Sequence, residues 1–349
     1  MIDVELLSKT CKVAGAPGFE QRVRELITKE LDGYVDEIQY DPMGNLIAIK
    51  RGKDDARVML ASHMDEISFV VSHIDEEGFL RIHPLGGFDP KTLTAQRVIV
   101  HGKKDVMGVM GTKPIHIMKP EERKVMPAVT DYFIDTGLSK KEVDKLISIG
   151  NVVTRERELI EMGDCVNSKS LDNRASVYIQ MEVMKQLSEK TVPYDIYAVF
   201  TVQEEIGLRG AIAAASGINP DFAIAMDVTL ACDVPDTLPQ NHITKIGKGT
   251  AIKVLDGMTI CDYRMVNFMK EQAKKKKIPY QMEILPAGGT DTAGLQRHSN
   301  GGSIAGAISI PLRYMHSSIE MAHKADIKAT IDLMKACLLN IDKYDWNFR

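Results

Sequence analysis

Cysteine is scarce and scattered in this chain: Cys11, Cys165, Cys232, Cys261 and Cys337 form no close Cys-x-x-Cys pair. That spacing argues against a disulfide framework and against thiolate zinc knots, and it suits a reducing compartment. A surplus of charge is also lacking, since 44 Lys and Arg face 48 Asp and Glu for a formal net charge of −4. No basic face is indicated, so neither nucleic acid nor an anionic membrane is an expected partner. No apolar run approaches the ~18 residues a membrane span needs, and the N-terminus has no basic segment followed by an apolar one. A cytoplasmic location is the expectation. The one dense cationic run, Lys274 to Lys277, follows a helical pattern and precedes Ile278-Pro279, so it reads as a solvated helix end.

What is present is ordinary globular composition: 349 residues, 44% apolar and 26% charged, enough for one large domain and a smaller one. Helical spacing at Leu6, Leu7 and Val13, and again at Val23, Leu26 and Ile27, is broken by Gly15-Ala-Pro-Gly18, which predicts two helices joined by a turn. Beyond Ile67 the texture changes. Ser68 to Ile74 and Phe79 to His83 flank Asp75-Glu-Glu-Gly78, and Arg97 to Val100 and Val106 to Met110 flank Gly102-Lys-Lys-Asp105. These are hairpin signals and predict a small β-rich unit. Ser139-Lys-Lys-Glu142 opens a helix there with a capping box. His73, His83, His101 and His116 fall in this block without ligand spacing.

After Asp172 the helical period resumes, with Ile179, Val183, Met184 and Leu187 on one side. Strands are predicted up to Thr201, over Pro220 to Met226 ending at Asp227, over Ile278 to Leu285, and over Ser303 to Ile310; a last helix runs through Ile327, Ile331 and Leu338. The irregular stretch Leu230 to Gly249 reads as a loop bordering a site. Strands and helices on both sides of an inserted β-rich block predict an α/β layered domain, residues 1–66 plus 164–349, interrupted by a second domain over 67–163.

Ala198-Val-Phe-Thr-Val-Gln-Glu204-Glu205 runs from a buried strand straight into two adjacent carboxylates, followed by Gly207 and Gly210. Two anions at a sheet edge repel each other unless a cation or a shared proton relieves them. Alone, the pair also fits the start of a solvated helix. Its company decides the reading: His63, Glu204, Glu205, Asp227 and His316 each follow a predicted strand, and Asp172 precedes a helix facing the same edge, where ligands collect in open α/β sheets. His63 and Asp65 lie two apart, so one can bind a metal while the other fixes the imidazole tautomer. Two histidines and three carboxylates make a hard N/O set suited to zinc, cobalt or manganese, sufficient for two ions sharing one carboxylate. One glutamate is left over for proton transfer, and Glu204 is the candidate. Arg209 and Thr290-Asp291 are candidates for pocket or support roles.

Five separated motifs carry a resemblance over nearly the whole chain: Ser-His63-Met-Asp65-Glu, Leu-Asp172-Asn-Arg, Val-Gln-Glu204-Glu205-Ile-Gly-Leu-Arg-Gly-Ala, Met-Asp227 and Met-His316-Ser. They resemble the tetrahedral aminopeptidases, glutamyl-aminopeptidase-like dinuclear metallopeptidases whose members are sometimes labelled endoglucanases. The resemblance implies a zinc-peptidase-like three-layer α/β/α domain with an inserted PDZ-like β-barrel used in dimerisation, and homo-oligomers that are dimers or hollow tetrahedral dodecamers acting on short peptides. It implies two divalent ions per subunit, zinc or cobalt, with His63 and Glu205 on opposite ions, Asp227 and His316 completing the two sites and Asp172 bridging. It assigns Glu204 and Asp65 to catalysis, Glu204 as general base and Asp65 as the partner orienting His63, and it implies a cis peptide at Asp172-Asn173. Where the family usually has Asp-Asp-Arg-Ala-Gly, this chain has Asp172-Asn173-Arg174-Ala175-Ser176, which keeps the ligand and removes a neighbouring charge. Phe133-Ile-Asp135-Thr-Gly137 is close to the family pattern. The expected activity is metal-dependent removal of N-terminal residues from peptides. The alternatives are another dinuclear hydrolase, a deacylase or the endoglucanase of some family labels, and a non-catalytic assembly protein.

Overall fold

The computed structural model describes residues 2–348. Helices α1 (Val4–Lys12) and α2 (Gln21–Leu31) lead into β1 (Glu37–Tyr40), β2 (Leu46–Lys50) and β3 (Asp54–His63). Next come β4 (Ser68–Ile74), β5 (Leu80–Leu85), β6 (Arg97–His101), β7 (Asp105–Gly111), β8 (Phe133–Asp135), α3 (Lys140–Leu146) and β9 (Val152–Arg155). The chain then returns through β10 (Ile160–Met162), β11 (Cys165–Ser168), α4 (Leu171–Leu187), β12 (Tyr194–Thr201), α5 (Arg209–Ile218) and β13 (Phe222–Leu230). It ends with β14 (Thr250–Leu255), α6 (Tyr263–Lys276), β15 (Tyr280–Ile284), α7 (Thr292–Arg297), β16 (Ile304–Arg313), β17 (Glu320–His323) and α8 (Lys324–Leu338).

Eleven strands form one mixed sheet in the order β1-β2-β12-β3-β13-β16-β17-β11-β10, with β14 paired to β16 and β15. Its centre, β12, β3, β13 and β16, is parallel. Strands covered on both faces need apolar residues at consecutive positions rather than alternating ones, and Phe-Ala-Ile-Ala-Met in β13 is buried throughout. Helix α4 lies across β3 and β13 beneath α1 and α8, while α5 and α7 pack together against β12, β13 and β16. The result is the three-layer α/β/α arrangement expected.

Two expectations need correction. Helix α4 was predicted to bury one side, yet its residues are buried nearly all round, Ser176 and Gln180 included. Sandwiching between the sheet and other helices replaces the amphipathic stripe, and Gln180 Nε2 is satisfied by the Val199 carbonyl at 2.9 Å. Strand β13 does not stop at Asp227 but continues to Leu230, because Val228 to Leu230 keep pairing with Ile310 to Leu312 of β16.

Strands β4, β5, β8, β7, β6 and β9 close into a barrel. Neither β8 nor β9 lies in a predicted hairpin, and β9 closes the barrel by pairing with both β4 and β6. The barrel has its own core, including Phe69, Ile82, Val100, Tyr132, Ile134 and Val153. The capping box at Ser139 is formed, with the Glu142 carboxylate accepting from the Ser139 N–H at 3.0 Å.

The loop between β12 and α5 is pinned at its neck. Gly210 N–H donates to the Val202 carbonyl at 2.9 Å, and Asn45 accepts from Val202 N–H and donates to the Gly210 carbonyl, each at 2.9 Å. A Cβ on Gly210 would sit 2.5 and 2.6 Å from the Val202 carbonyl oxygen and nitrogen, so only glycine permits this approach. Gly210→Ala is expected to cost about 1–3 kcal/mol, as overpacking does; an unchanged urea midpoint would show that the neck yields freely.

Candidate metal centre

Parallel strands deliver their carboxyl ends to one edge, and the site is built there. His63 is the last residue of β3, Glu204 and Glu205 occupy the turn after β12, and Asp227 sits within β13. Asp172 lies at the mouth of α4 in non-helical conformation, with a cis peptide bond to Asn173, and His316 follows β16 with φ +58°. The two carboxylate oxygens of Asp172 face two imidazoles: Oδ1 is 3.2 Å from His63 Nε2 and Oδ2 is 3.2 Å from His316 Nε2. Asp227 Oδ1 is 3.8 Å from His63 Nε2, and Glu205 Oε2 is 3.6 Å from His316 Nε2. Two donor groups result, His63 with Asp172 and Asp227, and Asp172 with Glu205 and His316, each with its ligand atoms within 4.8 Å of one another. Glu204 belongs to neither group, although its Oε2 is 3.8 Å from His63 Nε2.

Asp65 binds these parts together. Its carboxylate oxygens accept the backbone N–H groups of Glu204 and Glu205, both at 3.0 Å. Its carbonyl oxygen lies 3.1 Å from His63 Nδ1, closer than its carboxylate Oδ1 at 3.5 Å. The ring is therefore oriented chiefly through the Asp65 backbone, while the side chain fixes the turn that carries both glutamates.

The electrostatics are those of crowded buried anions. Burial and the neighbouring carboxylates push Glu204 well above the glutamate range, with His63 opposing. The same causes push Glu205 up to about 8 and Asp227 to about 7. Asp172 goes the other way: burial would raise it, but hydrogen bonds from His316 and His63 hold it below the aspartate range. His316 is pushed up to about 9, since burial is outweighed by Asp172 and Glu205. Glu205 Oε1 is buried without a hydrogen-bond partner. An orphaned carboxylate oxygen in an anionic cluster of nitrogen and oxygen donors fits divalent cations.

Other sequence candidates fall elsewhere. Arg209 is on the surface, 3.3 Å from the Gln203 side chain. Thr290 lines the cavity above the site, and Asp291 lies buried beside it, accepting from Thr201 Oγ1 at 2.5 Å. None of residues 231–249 lines that cavity, so the long loop does not border it; Leu285, Gly288, Gly289, Thr290 and Met258 do. His116 sits in an exposed turn between β7 and β8 and belongs to neither donor group.

One supporting residue escaped the sequence. Glu320 Oε2 accepts the Asp172 N–H at 2.9 Å, and burial with the Asp172 charge pushes its carboxyl up to about 7 against the pull of Arg155. Arg155, from the last barrel strand, donates to the Ser317 carbonyl beside His316. Neither residue has a motif; a carboxylate four residues after His316 is the only hint for Glu320.

A histidine and carboxylate cluster at the carboxyl edge of a parallel sheet, with a closed barrel inserted after the first site strand, defines an α/β protein of the metallopeptidase class. The chain belongs to the M42 glutamyl aminopeptidase family, which matches residues 44–333. It is 37% identical to the lysyl aminopeptidase of Pyrococcus furiosus over 99% of both chains. A TET aminopeptidase from a marine-sediment archaeon of the Thaumarchaeota superposes with TM-score 0.94 at 32% identity, covering 97% of this chain and 96% of that one. The TET1 peptidase of Pyrococcus horikoshii, which can assemble into a tetrahedron or a large octahedral shell, superposes with TM-score 0.87 at 31% identity over 96% of this chain and 99% of its own.

Proposed function

We propose that this protein is a dinuclear metal-dependent aminopeptidase that removes N-terminal residues from short peptides. The carrying observation is the pair of donor groups that share Asp172 and leave Glu204 outside both. His63, Asp172 and Asp227 would hold one cation, and Asp172, Glu205 and His316 the other, with zinc or cobalt suiting the donors. Such cations, when bound, supply Lewis acidity toward a scissile carbonyl and an attacking water.

The chain's own groups do the rest. Glu204 takes the proton of the attacking water and returns it to the leaving amine nitrogen as the C–N bond breaks. Asp65 holds the Glu204 and Glu205 backbone and, through its carbonyl, the His63 ring. The barrel strands begin just after Ile67 and the last of them ends at Arg155, which supports an inserted unit that starts at 67; β10 (Ile160–Met162), inside the expected 67–163 range, pairs instead with β11 of the large sheet. Ile115, Ile117, Val125 and Met126 are 51–70% exposed on it, which supports a homo-oligomer assembled through this unit. Five free cysteines support a reducing, cytoplasmic setting.

Dialysis against a chelator should abolish hydrolysis of aminoacyl-para-nitroanilides, and zinc or cobalt should restore it. At about 100 times the dissociation constant, bound metal should add roughly 2.7 kcal/mol of stability, read as a higher melting temperature. Chelator-insensitive turnover, or hydrolysis of cellulose without hydrolysis of the anilides, would overturn the reading. Light scattering on the purified protein tests assembly, a monomer being the contrary result.

A further inference from the structure

A cavity of about 300 Å³ stands over the site, and its lining includes Leu208, Val228, Met258, Leu285 and Met315 beside Thr290 and three glycines. Beyond the cluster, the side chains lining the cavity are apolar except for Thr290. Among the described residues lining it, the charged ones are the six of the cluster itself. A basic terminal side chain would need a carboxylate outside the reacting centre, and an acidic one would need a cation; the wall offers neither.

Charges lie close to that lining, one buried lysine paired with two buried carboxylates. Buried Lys253 Nζ is 3.0 Å from Glu283 and 3.3 Å from Asp256, and none of the three lines the cavity. Asp256 Oδ1 accepts the N–H groups of Met258 and Thr259 at 2.9 and 2.8 Å, and its Oδ2 accepts from Thr290 Oγ1 at 3.3 Å. The ion cluster therefore fixes the turn that presents Met258. The Met258 thioether rests on the next loop at Gly289, where a Cβ would approach its sulfur to 2.5 Å. Leu208, Val228 and Leu285 are buried, and Met258 is 50% exposed, so an apolar side chain entering here would cover part of an exposed methionine.

We infer that this site selects peptides with a neutral, apolar N-terminal residue of leucine or methionine size, held against Met258 and Leu285. The inference rests on the aminopeptidase reading above. Discrimination follows from leaving an incoming charge without a partner and from the methylene contacts a small residue cannot make.

The test compares kcat/KM for leucyl-, methionyl-, lysyl-, glutamyl- and glycyl-para-nitroanilide in the metal-loaded full chain. Leucyl and methionyl substrates are expected to lead the others by about tenfold or more. Met258→Glu should raise the lysyl-to-leucyl ratio, and Met258→Lys the glutamyl-to-leucyl ratio, each by about tenfold, with unfolding midpoints near wild type because the side chain is half-exposed. Free leucine should bind more tightly than free lysine or glutamate by calorimetry. Lysyl or glutamyl turnover equal to leucyl turnover in the wild type, or charge variants that fold but leave both ratios unmoved, overturns the assignment alone. No turnover of any anilide overturns the aminopeptidase reading and this assignment with it.

Discussion

Glu204→Gln is expected to keep both donor groups and to lose about 10²–10⁴-fold in kcat, the usual contribution of a positioned proton carrier. The amide is nearly isosteric and can still sit 3.8 Å from His63 Nε2, but it cannot take up the proton of a water. Its backbone N–H stays on Asp65, so the turn geometry is preserved. Metal content measured by mass spectrometry should therefore match wild type while leucyl-anilide turnover falls. Wild-type kcat in a metal-replete Glu204→Gln enzyme would remove Glu204 from the mechanism. Loss of metal together with activity would make it a ligand instead.

Lys169→Met should cost about 3–5 kcal/mol, because it strips the nearest counter-ion from a buried anion. Glu66 is wholly buried; both its oxygens are 2.7 Å from Lys169 Nζ, Ser170 Oγ donates to it at 2.5 Å, and Arg174 stands 3.6 Å away. Burial would raise the Glu66 carboxyl, but the two cations hold it below the glutamate range. A folded pKa below the unfolded one means that the Glu66 contribution is full above the ordinary glutamate value and is lost as pH falls through the lowered one. The deficit of Lys169→Met in urea titrations should thus be largest near neutrality and shrink in acid. Replacing Glu66 as well, in Glu66→Gln with Lys169→Met, should recover most of it, since Arg174 keeps the carbonyls of Met64, Thr10 and Val13 at 2.6–2.8 Å. A single mutant as stable as wild type would show that Glu66 is neutralised in the native fold.

The site was readable before the fold around it because its chemistry is unusual residue by residue. Adjacent carboxylates at Glu204 and Glu205, after an apolar strand, are costly without a counter-charge, and that cost is visible in one dimension. Asp65 was readable only in part: the two-residue spacing brings it to His63, yet its hold on two backbone N–H groups 139 and 140 positions away depends on how β3 and β12 lie side by side. Helix α4 misled for the opposite reason. Periodicity reports a helix with a wet side, and a helix between a sheet and two neighbours has none. Glu320 and Lys169 carried no pattern, and Glu66 closed a quoted motif without a role of its own, because buried ion partners are set by packing in three dimensions; β9 was hidden because four residues suffice to close a barrel whose other strands are already paired.

The barrel is tied to the reacting groups at both of its ends. Its first strand begins five residues after His63, and its last strand ends at Arg155, whose guanidinium grips the carbonyl next to His316. A displacement of the barrel relative to the sheet would therefore act first on the chain next to His63 and on the loop that carries His316.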